Sequence, residues 1–319
     1  MSTPPDATNA AADPAPPPAQ TPAQTPHDAA AGGVIQHTPD GQTRIRGPWM
    51  LASMAVLVVA IFVGIVVPTG LSALRARRAP VDGYEVVAVY PHDTGAFTQG
   101  LAIDDGELFE STGLFGESTL RKVDLQTGRV LLQVDLPENV FGEGIAVLED
   151  KIYMITWRNR IGYVFDRDTL TLLGQWKYKG EGWGLTTDGE WLIMSNGTEK
   201  ITFYDPETLQ PRKGTERKPT TIRVMENDAR ILRDLNELEY INNEIWANVY
   251  EQESIVRISP RNGKIRGFVD LSSLYPRRNR KQTVMNGIAF DRATQKIYIT
   301  GKRWPKLYEI RVVEREAKQ

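Results

Sequence analysis

Residues 100–111, GLAIDDGELFES, and residues 122–131, KVDLQTGRVL, together decide the fold of this chain. In each segment, two short apolar runs flank a turn signal, Asp105-Gly106 in the first and Thr127-Gly128 in the second. Such dipeptides between short apolar runs are typical of β-hairpins, because glycine accepts the positive φ angles that tight turns require. The two segments therefore predict consecutive hairpins that supply four short strands.

The same unit recurs about five times along the chain. Further copies begin at Gly144, Gly184, Leu238 and Gly287, and the last two are looser than the others. A repeat of roughly 40–50 residues with about four short strands is the signature of a radial β-propeller, in which ring closure leaves only short strand edges exposed. We therefore predict an all-β fold, a five-bladed β-propeller. A β-sandwich fits this regular repetition less well.

Two segments depart from the repeat. The copy that begins at Gly287 lacks one strand at the chain end, whereas an extra apolar segment, Tyr84–Tyr90, precedes the first copy. We expect Tyr84–Tyr90 to pair with the final blade and so to close the ring. The stretch from Pro211 to Asp234 is rich in charge and proline. We expect it to form a long surface excursion between blades.

Composition divides the rest of the chain into three segments. Residues 1–47 are mostly small and polar, cannot bury enough apolar surface to offset chain entropy, and predict a disordered tail. Residues 48–71 contain the uncharged run WMLASMAVLVVAIFVGIVV, which predicts one transmembrane helix. A cleaved signal peptide is the competing interpretation, although its apolar region is usually only ~7–15 residues. Residues 72–81 are then a linker, and residues 82–319 form the propeller domain.

Charge and composition exclude several classes of function. The formal net charge of -2 gives no global positive field, so no nucleic-acid partner is expected. The chain has no cysteine, and of its three histidines His27 and His37 fall in the predicted tail. His92, the remaining histidine, is expected to be an ordinary surface or loop residue. We therefore expect no metal site and no cofactor, and a Ser-His-Asp triad would have to use His92.

Candidate functional residues lie where the repeats open. An aromatic residue, a carboxylate or an amide stands beside a small residue in Phe97-Thr98-Gln99-Gly100, Phe141-Gly142-Glu143-Gly144, Glu181-Gly182-Trp183-Gly184, Asn236-Glu237-Leu238 and Asn286-Gly287. Because equivalent positions of a propeller converge on its central channel, these residues predict an aromatic-walled pocket with several polar groups. Packing of the propeller hub is the alternative role for the aromatic residues.

These motifs resemble those of the plant and bacterial glutaminyl-peptide cyclotransferases. The resemblance covers nearly all of residues 84–313, with the motifs in the same order, and the longest of them are the most specific. The matching motifs are FTQGL (97–101), ESTGLFG (110–116), FGEG (141–144), EGWGLT (181–186), LNELEYI (235–241), IWANV (245–249), NGIAFD (286–291) and ITGKRWPKLYEI (299–310).

The resemblance implies a five-bladed propeller that converts the N-terminal glutamine of peptides or proteins to pyroglutamate without a cofactor. It implies Glu143 as the catalytic carboxylate. Tyr250 stands where the family generally has tryptophan, which puts the substrate preference in doubt. The remaining implied pocket residues are Phe97, Gln99, Phe141, Trp157, Trp183, Asn236 and Lys302.

The chemistry of cyclisation calls for residues of these types. A carboxylate can accept the proton of the attacking α-amine, whose pKa is ~7.7–8, and return it to the departing nitrogen. Gln99, Asn236 or Lys302 could donate hydrogen bonds to the oxyanion, and the sequence leaves open which of them does. Lys302 could also be a surface lysine. The aromatic residues would fold the glutamine side chain and exclude water.

The orientation of the predicted membrane helix rests on the resemblance. Arginines stand on both sides of the apolar run, with three after it and two before it, so the positive-inside rule does not favour an outer domain. The resembling enzymes act on exported peptides, so we expect a single-pass membrane protein with its domain on the periplasmic side. The rival to a cyclase is a non-enzymatic, membrane-tethered propeller that binds a peptide or small ligand, because a fold alone implies no activity.

Overall fold

The computed structural model describes residues 78–226, 230–275 and 282–314, which form strands and connecting turns without a helix. The predicted tail, the predicted transmembrane helix and most of the predicted linker lie outside these ranges. Within them, no helix combines the length and the hydropathy that a membrane crossing requires. The all-β prediction is confirmed for this part of the chain.

After the first strand, β1 (Val81–Pro91), three separate four-stranded sheets follow one another along the chain. Each is an antiparallel meander, as the paired hairpins predict. The first contains β2 (Thr98–Asp104), β3 (Glu107–Thr112), β4 (Thr119–Val123) and β5 (Val130–Asp135). The second contains β6 (Gly142–Leu148), β7 (Lys151–Thr156), β8 (Ile161–Asp166) and β9 (Leu172–Lys177). The third contains β10 (Leu185–Thr187), β11 (Leu192–Ser195), β12 (Lys200–Tyr204) and β13 (Thr221–Arg223).

The C-terminal strands and β1 form one eight-stranded sheet. Its further strands are β16 (Leu235–Ile241), β17 (Glu244–Val249), β18 (Ser254–Ile258), β19 (Ile265–Asp270), β20 (Met285–Asp291), β21 (Lys296–Gly301) and β22 (Lys306–Val313), in the order β16-β17-β18-β19-β1-β22-β21-β20. β1 pairs antiparallel with β22 along its length, but pairs with β19 only at Val81 and Asp82. The predicted pairing of Tyr84–Tyr90 with the last copy of the repeat is confirmed.

The prediction that the stretch from Pro211 to Asp234 is an excursion between blades is wrong in part, because the middle of the stretch joins a sheet. Its residues Thr221–Arg223 form β13, the outer strand of the third sheet. The stretch also contains β14 (Met225–Glu226) and β15 (Arg230–Ile231), which pair with each other. The middle of the stretch therefore belongs to the third sheet, where pairing of β13 with β12 satisfies backbone groups that an unpaired loop would leave to solvent. The hairpin of β14 and β15 follows between this sheet and β16.

We call the first strand of each four-stranded unit its inner strand: β2, β6, β10, β16 and β20. Neighbouring inner strands approach so closely that only glycine fits between them. A Cβ added at a glycine would collide with backbone of the next strand, at 2.6 Å between Gly100 and Ile145 N, 2.3 Å between Gly144 and Leu185 N, and 2.0 Å between Gly184 and Asn236 O. Backbone atoms cannot give way as a flexible side chain can. The glycines that open the repeats thus bring β2, β6, β10 and β16 into contact in chain order.

The hydrophobic core lies between the sheets, since each cluster of buried residues draws on two neighbouring sheets or halves of the eight-stranded sheet. One cluster joins Phe109 and Leu120 of the first sheet to Ile152 and Phe165 of the second. Another joins Leu101 of β2 to Tyr298 and Leu307 of β21 and β22, and so links the start of the chain to its end. The described residues therefore form a closed, propeller-like β fold.

Candidate active site

The predicted site residues share one edge of the sheets. Each inner strand pairs antiparallel with the next strand of its sheet, so the inner strand begins at the edge where the next strand ends. Residues just before an inner strand therefore lie beside residues just after the strand that follows it. The inner strands carry Gln99, Glu143 and Asn236. Just before the inner strands come Phe97, Phe141 and Trp183, and just after the second strands come Trp157, Tyr250 and Lys302.

Glu143 lies on β6 and is almost completely buried, with 6% of its surface exposed. Its backbone carbonyl accepts a hydrogen bond from Ser111 Oγ at 2.5 Å, which fixes the strand against the first sheet. Burial raises the pKa of the Glu143 carboxyl well above its ordinary value; the positive charge of Lys302 opposes the rise, and the negative charge of Glu181 adds to it. A carboxyl in this environment is a stronger base than one in water.

Lys302 is buried, so the alternative of a surface lysine is wrong. Its Nζ lies 4.5 Å from the centroid of the Phe97 ring and 5.5 Å from that of Tyr250. Ring faces carry partial negative charge and attract an ammonium group at such distances. The two rings therefore hold the lysine charge where it acts on Glu143.

Phe141 is the centre of the aromatic wall. Its ring packs edge-on against Trp157 at 5.5 Å, against Phe97 at 6.3 Å and against Phe115 at 5.5 Å between centroids. A Cβ added at Gly113 would lie 2.4 Å from Phe141 Cε1 and 2.9 Å from Gln99 Nε2. The absence of a side chain at residue 113 thus makes room for both groups.

Glu181 joins two tryptophan rings, a role that the sequence did not assign to it. One of its carboxylate oxygens accepts hydrogen bonds from Trp157 Nε1 at 2.9 Å and Trp183 Nε1 at 3.0 Å. Its other oxygen pairs with Arg158 Nε at 3.0 Å. Burial acts to raise the pKa of Glu181, but the hydrogen bonds from Trp183, Arg158 and Trp157 hold it below its ordinary value. Its position in the repeat opening was the available signal, although only the tertiary structure brings both indoles to it.

The amide side chains form a second group beside this wall. Asn286 Nδ2 donates to Gln99 Oε1 at 3.3 Å and to the backbone oxygens of Thr98 and Gln99 at 3.1 and 3.3 Å. Asn236 is also buried, and its backbone oxygen accepts a bond from Ser195 Oγ at 2.7 Å. Sequence reasoning marked Asn286 only as the opening of a repeat, whereas the structure gives it the task of orienting Gln99.

Tyr250 lies in the same wall as Trp183, with 5.8 Å between ring centroids in an edge-on arrangement. The tyrosine ring therefore occupies the wall position that the resemblance assigns to a tryptophan. Contacts through Phe141, Lys302 and Glu181 thus connect the predicted residues other than Asn236, whose side chain shares only the edge with them.

At the opposite edge of the sheets lies a separate cavity of about 150 Å³, which includes none of the predicted residues. Glu239, Thr186 and Arg292 are among its lining residues. Thr186 Oγ1 donates to Glu239 Oε2 at 3.3 Å, and Arg292 Nη2 donates to the Thr187 carbonyl at 2.9 Å. Burial raises the pKa of Glu239 to about 8. Nothing in the sequence indicated that the Glu239 carboxyl would be buried rather than exposed to solvent.

His92 is in a loop, as expected, and its side chain is enclosed there. Its side chain is 4% exposed, with Nδ1 2.6 Å from the Trp304 carbonyl and Nε2 3.0 Å from Glu110 Oε1. Burial acts to lower the pKa of His92, yet the negative charge of Glu110 and its hydrogen bond raise it on balance. His92 thus ties the loop after β1 to the first sheet.

The fold and the site together define a class, the propeller-like β proteins with buried carboxyl, amide and ammonium groups beside clustered aromatic rings at one end of their inner strands. A family model of the glutamine cyclotransferases matches residues 56–312. A glutaminyl-peptide cyclotransferase of Arabidopsis thaliana is 41% identical over 244 residues, which cover 75% of this chain and 74% of the relative. The crystal structure of Myxococcus xanthus glutaminyl cyclase matches with a TM-score of 0.68 and 29% identity, covering 75% of this chain and 100% of that one. The chain belongs to the glutamine cyclotransferase family, and the resemblance seen in its sequence is confirmed.

Proposed function

We propose that this protein is a glutaminyl-peptide cyclotransferase, which converts the N-terminal glutamine of peptides or proteins to pyroglutamate and releases ammonia. The observation that carries the proposal is the buried Glu143 carboxyl, which lies at the edge lined by aromatic rings and feels the charge of Lys302. Membership of the family and the names of both relatives support it.

Glu143 acts as the general base and then as the general acid. The α-amine of the substrate attacks the carbon of its own γ-carboxamide, and a new C–N bond forms as the amine proton passes to the Glu143 carboxylate. The tetrahedral oxyanion then collapses, Glu143 returns the proton to the amide nitrogen, and the old C–N bond breaks to release ammonia. A raised carboxyl pKa suits both steps, because proton transfer is most effective between groups of similar pKa.

Oxyanion stabilisation falls to donors among Gln99, Asn236 and Lys302. Asn286 occupies the Oε1 acceptor of Gln99, which fixes that amide and directs its Nε2 towards the space left by Gly113. Lys302 contributes positive charge inside a buried setting, where charge interactions are stronger than in water. Each fixed donor of this kind typically contributes ~10²–10³ in rate.

The aromatic residues Phe97, Phe141, Trp157, Trp183 and Tyr250 shape the pocket. Glu181 fixes both tryptophan rings through their Nε1 groups, so the wall is rigid before substrate arrives. A rigid wall holds the glutamine side chain in its folded conformer, which brings amine and carboxamide together. It also excludes water, which would otherwise compete as a nucleophile.

We also propose that the ring has five blades. Three blades are the separate four-stranded sheets, and the other two are the antiparallel halves of the eight-stranded sheet, β16-β17-β18-β19 and β20-β21-β22-β1. The limited parallel pairing of β1 with β19 supports two blades rather than one continuous sheet. The hydrophobic clusters between successive units support the same count.

We propose in addition that residues 48–71 anchor the protein in a membrane, with residues 82–319 as the catalytic domain on the periplasmic side. The uncharged apolar run supports the anchor. Protease added to intact spheroplasts should then digest the domain. Protection of the domain until the membrane is lysed would reverse this topology.

The activity is tested by incubating the full-length protein in detergent with a Gln-initiated dipeptide. We expect release of ammonia together with a product lighter by the mass of ammonia, and no release from a peptide that begins with N-acetylglutamine, whose amine is blocked. Since the expected mechanism uses no metal, EDTA or phenanthroline should leave the rate unchanged. Saturable binding of the dipeptide without ammonia would instead identify a non-enzymatic, membrane-tethered propeller that binds a peptide.

A further inference from the structure

Phe115 is exposed to solvent although it is a phenylalanine. Its exposed fraction is 56%, whereas every other Phe, Trp or Tyr in the described residues is buried or half-buried. A large apolar side chain in water forgoes the favourable free energy that burial would give it. A solvent-exposed aromatic ring that adjoins other aromatic rings is available for contact with a bound apolar or aromatic group.

The loop that carries Phe115 is held in place. Leu114 has a φ of 88°, a left-handed conformation that a branched side chain rarely adopts. Ser118 Oγ donates to the Leu114 carbonyl at 2.7 Å and accepts from Gly142 N at 3.0 Å, so the loop is tied to the residue that precedes Glu143. Backbone strain of this kind persists where surrounding bonds enforce it, and it is common at functional sites.

Phe115 extends the aromatic wall outwards. Its ring centroid lies 5.5 Å from that of Phe141 at an interplanar angle of 72°. Phe141 is 6% exposed and in turn packs against Trp157 and Phe97. Phe115 is therefore the solvent-exposed ring among the three that contact Phe141.

We propose that Phe115 binds the side chain of the second residue of the substrate, and that the protein prefers peptides with an aromatic or large apolar residue after the N-terminal glutamine. The inference rests on the proposed function, which places the glutamine inside the wall. One extended residue spans ~3.3–3.6 Å, and the Phe115 ring centroid lies 5.5 Å from that of Phe141, so the side chain of the residue after glutamine can reach Phe115.

The cations near the wall do not favour an acidic second residue. Arg158 lies with its guanidinium carbon 3.9 Å from the Trp157 ring centroid and is already paired with Glu181. Arg303 lies 5.6 Å from the centroid of the Phe97 ring, which contacts Phe141. The side chain next to Phe141 that faces solvent is apolar, which selects an apolar partner.

The test measures ammonia release by the full-length protein in detergent from two dipeptide amides, Gln-Phe and Gln-Gly. The variant Phe115→Ala removes the ring. Leu173→Ala is the matched control, because Leu173 is 54% exposed on β9 and belongs to none of the contacts of the wall. We expect Phe115→Ala to lower kcat/KM for Gln-Phe about five- to tenfold, mainly through KM, and to change Gln-Gly less than about twofold, since one aromatic contact accounts for an effect of that order.

Phe115→Leu should recover part of the loss, and Leu173→Ala should match the wild type with both substrates. An equal loss for Gln-Phe and Gln-Gly would overturn the proposal, because Phe115 would then act only by supporting Phe141. The proposal would also be overturned if the wild type turned over Gln-Phe and Gln-Gly equally well and Phe115→Ala left both rates unchanged. If the wild type releases no ammonia from either substrate, the cyclase function itself fails, which is a separate result.

Discussion

Two buried glutamates, Glu143 at one edge of the inner strands and Glu237 near the middle of β16, differ in what surrounds them. Both carboxyls have a raised pKa, and burial is the main cause in each case. Glu237 Oε2 accepts the backbone N–H of Ile288 at 2.9 Å, and its Oε1 accepts that of Leu101 at 3.4 Å. Glu237 therefore serves the backbone of the two neighbouring inner strands, whereas Glu143 faces the charge of Lys302 and the aromatic wall.

The difference shows that burial and a raised pKa do not by themselves identify a catalytic carboxyl. The inner edges of β2 and β20 carry backbone N–H groups that need acceptors, and Glu237 supplies them inside the ring. Its oxygens are already committed to the fold. Besides burial, which is the largest cause, the charges of Lys302 and Glu181 act on the pKa of Glu143, whereas backbone hydrogen bonds from Ile288 and Leu101 act on that of Glu237.

The largest effect is expected from Glu143→Gln. Glutamine keeps the shape but removes the base, so kcat should fall by about 10²–10⁴, with substrate binding changed far less. Stopped assays of ammonia release and thermal unfolding of the same preparation measure both consequences. Near-full turnover with a midpoint several degrees lower would make Glu143 a structural residue and would erase the contrast with Glu237.

Glu237→Ala should give the opposite result. The substitution leaves two buried backbone N–H groups without acceptors, so the free energy of unfolding should fall by about 2–4 kcal/mol. Because Glu237 has no part in the proposed chemistry, kcat of the folded protein should stay within about twofold of the wild-type value. Glu237→Gln, which retains an acceptor oxygen, serves as the milder control. A loss of kcat in a variant of unchanged stability would count against this assignment.

Gly113→Ala disturbs the catalytic edge without touching either glutamate. The added Cβ would lie 2.4 Å from Phe141 Cε1, so the ring must move, and Gln99 Nε2 must move with it. We expect a loss of roughly tenfold in kcat/KM, within the range that a misplaced group near the reacting atoms can cause. The equivalent change at Gly174, where an added Cβ meets nothing within 4 Å, is the control. Equal activity of the two variants would show that the Phe141 wall tolerates displacement.

The pH dependence of stability tests whether burial raises the pKa of Glu239, a carboxyl outside the candidate active site. Its pKa is raised to about 8 in the folded protein by burial, with Arg292 opposing the rise. The folded protein binds the Glu239 proton more tightly than the unfolded chain does, so the protonated carboxyl contributes to stability. This contribution is complete below the ordinary carboxyl pKa and is lost as the pH rises through about 8. Unfolding midpoints measured from pH 5 to 9 should therefore decline less in Glu239→Gln than in the wild type. Parallel pH profiles of the two proteins would refute this view of the cavity.

Tyr250→Trp should have the smallest effect. Tyr250 packs against Trp183 and lies near Lys302, so a larger ring changes the width of the wall but none of the proposed chemistry. We expect kcat to be kept and KM for a Gln-initiated dipeptide to shift by no more than about threefold, in line with a modest change of apolar contact. A large fall in kcat would instead assign the tyrosine hydroxyl a role in the reaction.

Much of the fold and of the site could be predicted because the information is local. Turn dipeptides and short apolar runs identified the hairpins, and the spacing of their copies identified the repeats. Residues such as Phe97, Gln99 and Glu143 occupy equivalent places in the repeat, so the pattern alone located them at a common edge. The outer strand Thr221–Arg223 was missed because the charge and proline content around it outweighed a signal of three residues.

The sequence by itself thus determined the β-hairpin units, their repetition and the edge at which the candidate residues gather, since each depends on residues close together in the chain. The tertiary structure alone decided which buried glutamate serves the backbone, that Glu181 links two tryptophans, and that His92 is enclosed by Glu110 and Trp304. These properties depend on contacts between strands far apart in sequence. Burial and the partners of a polar group exist only once the ring has closed, and together they set the proton affinity of each carboxyl.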